Sequence, residues 1–277
     1  MPTDAYAVFG YPIGHSKSPR IHGLFAQQTG QDIVYSAQEV DAAHFESSVR
    51  SFFEAGGKGI NCTVPLKELA FAFAERRSVR AERAKAVNTL MLGKDGKIYG
   101  DNTDGIGLIR DLTANLGLDL NGQDILLLGA GGASRGIIQP ILEQSPRRLV
   151  VANRTVAKAW QLAEEFSDLG PLEPRGFAEL AGESFDLALN ATAASLSDEL
   201  PDLPEHLLSS GSTCYDLAYG NQPTAFVRWG IREGSKLSVD GLGMLVEQAA
   251  EAFFIWRGVR PETRPVIDLL NSERKTS

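Results

Sequence analysis

The sequence predicts an α/β fold divided into two domains, and three features predict it. Its 277 residues exceed the roughly 100–200 that one core usually serves. Short apolar runs alternate with helical stretches in two successive rounds, the pattern of parallel sheets with right-handed crossovers. The second round opens on Ile125-Leu126-Leu127-Leu128, which enters a glycine-rich turn, Gly129 to Gly136, and then an apolar helix.

Taken in order, Tyr6-Ala7-Val8-Phe9 reads as a buried strand, ended by Gly10 and Pro12. Ser18 is expected to cap a helix with Pro19 in its first position, where a missing N–H costs nothing. That helix should run to about Thr29, with Gly30 just past its end. A strand over Ile33–Gln38, a helix over Ala42–Ala55 and a strand over Gly59–Val64, cut by Pro65, complete the first round. Shorter strands follow at Thr89–Leu92 and Lys97–Tyr99, then a helix near Thr103–Leu116. In the second round, strands are expected at Asp124–Leu128, Leu149–Ala152, Phe185–Asn190, Thr213–Asp216 and Lys236–Val239, with helices between them, notably Ala133–Leu142 and Thr155–Phe166. The last long helix, Leu242–Arg257, follows the turn Asp240-Gly241-Leu242-Gly243, and its apolar stripe should bury against the N-terminal domain. The expected domains are 1–104, completed by 241–277, and 105–240.

Composition excludes several classes. A hydrophobic fraction of 43% and a charged fraction of 22% suit an ordinary globular protein. The net charge of −8 argues against a nucleic-acid binder. No apolar stretch approaches the roughly 18–20 residues needed to span a bilayer. The start, Met1-Pro2-Thr3-Asp4, lacks the basic region of a signal peptide. Cys62 and Cys214 stand in no metal or redox spacing, as expected of reduced thiols in the cytoplasm.

A strand, a glycine turn and a helix start together set backbone N–H groups and a positive helix end against a pyrophosphate, the Rossmann arrangement. Here the turn is Gly129-Ala130-Gly131-Gly132-Ala133-Ser134-Arg135-Gly136, with Ser134 where a third glycine or alanine usually lies. A glycine triplet alone could be a plain tight turn; its flanking strand and helix favour a dinucleotide. An NAD site would present Asp or Glu at the end of the next strand. The sequence there is Ala152-Asn153-Arg154-Thr155, with Lys158 one helical turn on. Arg154 suits bidentate hydrogen bonds to a 2′-phosphate. Both cations could instead be ordinary solvated residues, but at a helix N-terminus they oppose the dipole, so an anionic ligand explains them better. NADP is therefore expected over NAD, in an oxidoreductase.

Common catalytic solutions are missing. No Tyr-x-x-x-Lys pair occurs, no Cys/His cluster suits zinc, and no metal site is expected. Of the four histidines only His15 lies in a suggestive loop. Polar residues of the first half instead gather just past strand ends, where open α/β sheets bind ligands. They are Ser16 and Ser18, then Asn61, Thr63 and Lys67, then Asn88 and Thr89, then Asp101, Asn102 and Asp104. Asn61 and Thr63, two apart on a strand, should share a face. Each has a dull alternative: Ser18 as a cap, Asn88 in a turn, Asp104 capping a helix, Lys67 as a surface residue. As a set they read as a pocket for a hydroxylated acid.

These segments resemble the shikimate dehydrogenase family along nearly the whole chain. The matching stretches are Ser16-Lys17-Ser18-Pro19, Asn61 to Lys67, Ala86 to Leu90, Gly100 to Gly105, Gly129 to Gly136, Asn153-Arg154-Thr155, Asn190-Ala191-Thr192 and Asp240 to Leu245. The resemblance implies reversible NADPH-linked reduction of 3-dehydroshikimate to shikimate, on the route through chorismate to aromatic amino acids. It implies Lys67 and Asp104 as the catalytic pair, with Ser16, Ser18, Asn61, Thr63, Asn88, Tyr219 and Gln248 about the substrate. It also implies cofactor contacts at Gly129, Ala130, Gly131, Gly132, Ala133, Asn153, Arg154, Thr155, Lys158, Asn190, Thr192, Leu217 and Gly241. A monomer or homodimer without further partners is expected.

Departures from the family pattern are Tyr11, Cys62, Leu66, Lys85 and the stretch Ala193-Ala194-Ser195; none removes a polar group of the set. Three rivals stand beside this reading. A quinate/shikimate paralogue using NAD or NADP is opposed by Arg154 without a ribose-binding acid. A methylenetetrahydrofolate dehydrogenase is opposed by Ser16, Ser18 and Asn88, which suit a small polyol acid better than a pterin. A non-catalytic NADP-binding regulator would have lost Lys67 or Asp104, and both are present.

Overall fold

The computed structural model describes residues 3–275. They form two compact units: the chain up to Gly107 with Leu245–Leu269, and Leu108–Met244 with the chain from Leu270 onward. The changes of unit fall inside helices, and the chain from Leu270 to residue 275 groups with the second unit. Arg274 fixes it there, pairing with Asp240 and donating to the Gly220 carbonyl at 2.8 Å.

The first unit runs β1 (Asp4–Gly10), α1 (Ser18–Thr29), β2 (Ile33–Glu39), α2 (Phe45–Glu54), β3 (Gly59–Cys62), α3 (Lys67–Phe73), β4 (Arg76–Arg77), α4 (Val79–Ala84), β5 (Thr89–Leu92) and β6 (Ile98–Asp101). The sheet order is β2-β1-β3-β5-β6-β4. The first three strands are parallel, as the alternation predicts, whereas β5 runs antiparallel to both neighbours. Its link to β6 is a tight turn in which Gly93 N–H donates to the Lys97 carbonyl at 2.8 Å, too short for a crossover.

Three local expectations need correction. Ser18 is not the cap of α1: Lys17 holds that position without a side-chain cap, and the Ser18 N–H is taken by Ser16 Oγ at 3.3 Å. Helix α2 starts at Phe45 rather than Ala42, because the Asp41 carboxylate accepts the His44 N–H at 2.9 Å and holds the intervening residues in a turn. Strand β3 ends at Cys62. Thr63 already lies in the turn closed by Leu66 N–H on its carbonyl, so strand alternation does not pair it with Asn61. The short elements β4 and α4 escaped the sequence reading; Ser78 caps α4 by accepting the Ala81 N–H at 3.1 Å.

Phe9, Phe45, Ile60, Leu66 and Leu90 centre the core of this unit. Helix α9 (Leu242–Arg257), from Leu245 on, packs on it as expected, burying Val246, Ala249, Ala250 and Phe253. Its Trp256 donates Nε1–H to the Leu90 carbonyl at 3.2 Å. His22 of α1 lies fully buried among Phe25, Tyr35, Phe253 and Trp256. Neither of its ring nitrogens has a hydrogen-bond partner among the described residues. Burial pushes its pKa from 6.5 down to about 3, and the nearby Asn61 amide favours the charged ring only weakly.

The unfolded chain therefore takes up a proton at His22 below pH 6.5, and the folded one only near 3. The stability this group supplies is complete above pH 6.5 and falls by about 1.4 kcal/mol per pH unit as pH drops towards 3. Urea unfolding across that range should show a steeper acid slope for the wild type than for His22→Phe. Equal slopes would contradict a buried neutral histidine.

The second unit runs α5 (Asp104–Arg110, of which Leu108–Arg110 belong here), β7 (Asp124–Leu128), α6 (Gly132–Leu142), β8 (Arg148–Ala152), α7 (Val156–Glu165), β9 (Leu172–Arg175), β10 (Phe185–Asn190), β11 (Leu208–Asp216), α8 (Ala225–Arg232), β12 (Leu237–Asp240) and, at its end, α10 (Arg264–Lys275, from Leu270 on). Its sheet is parallel throughout, in the order β12-β11-β10-β7-β8-β9. Ile125 and Leu127 face one core with Ile137 and Leu189, while Leu126 and Leu128 face another with Phe226 and Trp229. Burial on both faces explains the unbroken apolar run in β7. The order reverses between β7 and β10, the place where such sheets bind ligands past their C-terminal ends. Among the described residues no helix is long and apolar enough to cross a membrane.

Candidate active site

In the first unit three of the polar residues read from the sequence, Asn61, Asn88 and Asn102, are linked to one pair. Lys67 opens α3, and its Nζ donates to Asp104 Oδ2 at 2.6 Å. The lysine side chain is 30% exposed and the aspartate 13%, so the pair is within a ligand's reach yet partly withdrawn from water. A lysine in the first turn opposes the α3 dipole, and the Asp104 carboxylate offsets that charge. Asp104, at the start of α5, is held twice more. Its Oδ1 accepts Asn88 Nδ2 at 2.8 Å, and its N–H donates to Asn102 Oδ1 at 3.1 Å.

Asn88 is the hub of a buried frame. Its Oδ1 accepts the Thr103 N–H and the Thr89 hydroxyl, each at 2.9 Å, and its Nδ2 also lies 3.3 Å from Gln248 Oε1. Asn61, at the end of β3, gives both amide hydrogens inward, to the Asn88 carbonyl at 3.0 Å and Thr89 Oγ1 at 3.1 Å. Its Oδ1 accepts the Tyr35 hydroxyl at 2.7 Å, which leaves one lone pair free. Asn88 and Asn61 thus spend most of their capacity on the frame, a fuller structural duty than the sequence suggested. Ser18 is buried at the head of α1, and Ser16 and Thr63 are half-buried in the loops after β1 and β3. Thr103 and Tyr35 were missed. Thr103 sits inside the Gly100–Gly105 motif, whereas Tyr35 reaches Asn61 across β1, which no sequence spacing reveals.

In the second unit Gly129 turns the chain with φ +103°, and a Cβ there would meet the backbone of Ala191 and Thr192 at 3.1–3.2 Å. Ser134, the odd residue of the motif, is fully buried and donates Oγ–H to the Gly129 carbonyl at 2.8 Å. It locks the turn to α6 as well as packing closely. Asn190 is buried and saturated: its amide donates to Ser195 Oγ and Asp216, and its oxygen accepts the Thr192 N–H and hydroxyl. Its side chain thereby shapes the loop that carries Thr192. Gly241 is required for another reason: a Cβ would lie 2.3 Å from the Leu217 carbonyl oxygen. Leu217 and Tyr219 follow β11 in this unit, and burial raises the pKa of the Tyr219 phenol, helped by the Asp240 charge. Burial likewise raises that of Asp216, against the hydrogen bonds it accepts from Ser195, Thr224, Ala218 and Asn190.

Against this geometry, three family descriptions match successive parts of the chain. They are the shikimate dehydrogenase substrate binding domain over residues 8–90, shikimate / quinate 5-dehydrogenase over 111–197, and the shikimate 5'-dehydrogenase C-terminal domain over 241–270. A shikimate dehydrogenase (NADP(+)) of Methylococcus capsulatus is 64% identical over 274 residues, covering 99% of this chain and 98% of the relative. The chain belongs to the shikimate dehydrogenase family. A second such protein, from Alkalilimnicola ehrlichii, is 57% identical over 98% of this chain and 100% of its own length. Among solved structures, an Ael1 enzyme from Pseudomonas putida superposes with TM-score 0.89 at 48% identity, covering 96% of this chain and 98% of that one. A shikimate 5-dehydrogenase from Thermus thermophilus, solved in complex with NADP(H) and shikimate, gives 0.85 at 33%, covering 96% and 97%.

The second unit fits the dinucleotide that this family membership implies. Space is open where side chains would stand at Gly131 and Gly132, at the start of α6. That helix has no side-chain cap and no acidic residue in its first turn, so its N–H groups face outward unsatisfied by the chain. Arg154 and Lys158 are exposed and form no ion pair among the described residues. Asn153 Nδ2 bonds the Thr155 carbonyl at 2.9 Å and steadies the turn that presents Arg154. Among the described residues no group of three or more His, Cys, Asp and Glu side chains could hold a metal ion.

Proposed function

We propose that this protein catalyses the reversible, NADP-linked reduction of 3-dehydroshikimate to shikimate, a step towards chorismate and the aromatic amino acids. The observation that carries the reading is the Lys67–Asp104 pair, held by Asn88 within a buried polar frame in a member of this family. Bound NADPH supplies the hydride. As the carbonyl carbon accepts it, negative charge grows on the ketone oxygen; the Lys67 ammonium stabilises that charge and gives its proton. In the reverse direction the Lys67 amine takes the proton back from the C–OH group. Asp104 steers Nζ through Oδ2, while Asn88 on Oδ1 keeps the carboxylate from turning away.

The remaining residues divide by what they have left to offer. Asn61 retains only an acceptor, so it suits a substrate hydroxyl and not a carboxylate. Ser16 and Ser18 carry hydroxyls that can donate to the carboxylate, and Thr63, Tyr219 and Gln248 complete the substrate set. The N–H groups from Gly131 to Ala133 hold the pyrophosphate, and Arg154 with Lys158 holds the 2′-phosphate. Ala130, Thr192 and Leu217 line the dinucleotide. Each chain carries the full set, so a monomer suffices and a homodimer would repeat it. We place the protein in the cytoplasm: Cys62 and Cys214 are free and buried, and burial raises the Cys214 pKa to about 12.

Incubation with NADPH and 3-dehydroshikimate tests the reading. Shikimate, detected chromatographically, should appear in step with NADPH consumed. NADPH loss without shikimate, or no loss at all, would refute it.

A further inference from the structure

The geometry points to Tyr35 as a positioning residue that sets the orientation of the Asn61 amide for substrate. This inference rests on the functional reading above and concerns a residue that reading does not use. Tyr35 stands on the edge strand β2, opposite Tyr6 of β1, and its hydroxyl passes over β1 to reach Asn61 of β3 at 2.7 Å. Two further observations show that the phenol is held in place for this contact. The His22 ring lies flat against it, 4.1 Å between centroids at an interplanar angle of 4°. His22 has no hydrogen-bond partner of its own among the described residues, so stacking is what it contributes there. Ser18 stands four residues before His22 on α1, on the same helix face.

The contact matters because it fixes the direction in which the amide oxygen presents its free lone pair. With Tyr35 donating to Oδ1, the Asn61 amide must point Nδ2 at the Asn88 carbonyl and Thr89, and its free lone pair remains for a substrate hydroxyl. Without the phenolic O–H, the Asn88 carbonyl and Thr89 still hold Nδ2 inward, but the oxygen loses the donor that fixes its direction, and its lone pair meets a substrate hydroxyl in only part of the population.

Steady-state kinetics of Tyr35→Phe, Asn61→Ala and the double variant test this. Tyr35→Phe keeps ring, stack and shape. Its KM for shikimate should rise about tenfold, while kcat stays within about threefold and the KM for NADP within about twofold. In the Asn61→Ala background the same change should alter the shikimate KM by less than about twofold, since its target is gone. A purely structural tyrosine would instead lower thermal stability without this split. A shikimate KM in Tyr35→Phe within about twofold of wild type, or penalties that multiply in the double variant, would overturn the inference. Wild-type turnover of shikimate, measured alongside, separates the two levels. Its absence overturns the functional reading and this inference with it; normal wild-type turnover with an unchanged Tyr35→Phe overturns this inference alone.

Discussion

Replacing Lys67 with alanine is expected to lower kcat by roughly 10²- to 10⁴-fold, the range of a lost general acid, in a protein that remains folded. The fold should survive because the side chain supports little of it. It is 30% exposed, and among the described residues its one polar contact is Asp104. The backbone contribution of Lys67, its carbonyl accepting the Val87 N–H at 2.9 Å, does not depend on the side chain. Removing a cation from the first turn of α3 even relieves its opposition to the helix dipole. Asp104 keeps Asn88 and Asn102 as partners, so the carboxylate is not stranded. The loss should therefore fall on kcat, with circular dichroism unchanged. Near-normal turnover would remove Lys67 from the chemistry and return it to the surface residue that sequence alone allowed.

Arg154→Ala is expected to lower kcat/KM for NADP by roughly 10- to 150-fold, the equivalent of about 1.5–3 kcal/mol for hydrogen bonds to a charged group. The value for NAD should hardly change. Two facts support so selective a loss. Arg154 is exposed and forms no ion pair among the described residues, so its removal leaves no buried partner behind. No carboxylate follows β8 to hold the ribose of NAD, so NAD has no contact there to lose. Lys158→Ala should act in the same direction with a smaller effect, because a lysine offers a point charge where arginine offers a planar fork. A NADP/NAD preference unchanged in Arg154→Ala would place the 2′-phosphate elsewhere.

Much of this was legible in the sequence because period and punctuation were clear. β7, β10 and α9 match their expected bounds residue for residue, each marked by an apolar pattern and a turn signal. What sequence missed was mostly long-range or capped by a competitor. Asp41 captured the His44 N–H and delayed α2, a local choice that propensity does not rank. α10 stayed hidden, and Arg274 tied its end to Asp240 instead of leaving it with α9. At the site, the structure links Asn61, Lys67, Asn88 and Asp104, but how they divide the hydrogen bonds among themselves was not legible. Asn88 and Asn61 looked like substrate ligands because amides near strand ends often are. How many of their hydrogen bonds the frame already uses depends on long-range partners that no local pattern reveals. Tyr35 was invisible for a topological reason, since β1 lies between it and the residue it orients.

The central claim joins a polar frame built for a small hydroxylated acid to a dinucleotide site whose cations select NADP. It is tested most directly by one set of initial rates: NADPH or NADH formation with shikimate or quinate, each with NADP or NAD. The account predicts that kcat/KM is highest for shikimate with NADP, and that exchanging either partner lowers it by at least about tenfold. Equal rates with quinate, or a preference for NAD, would contradict it.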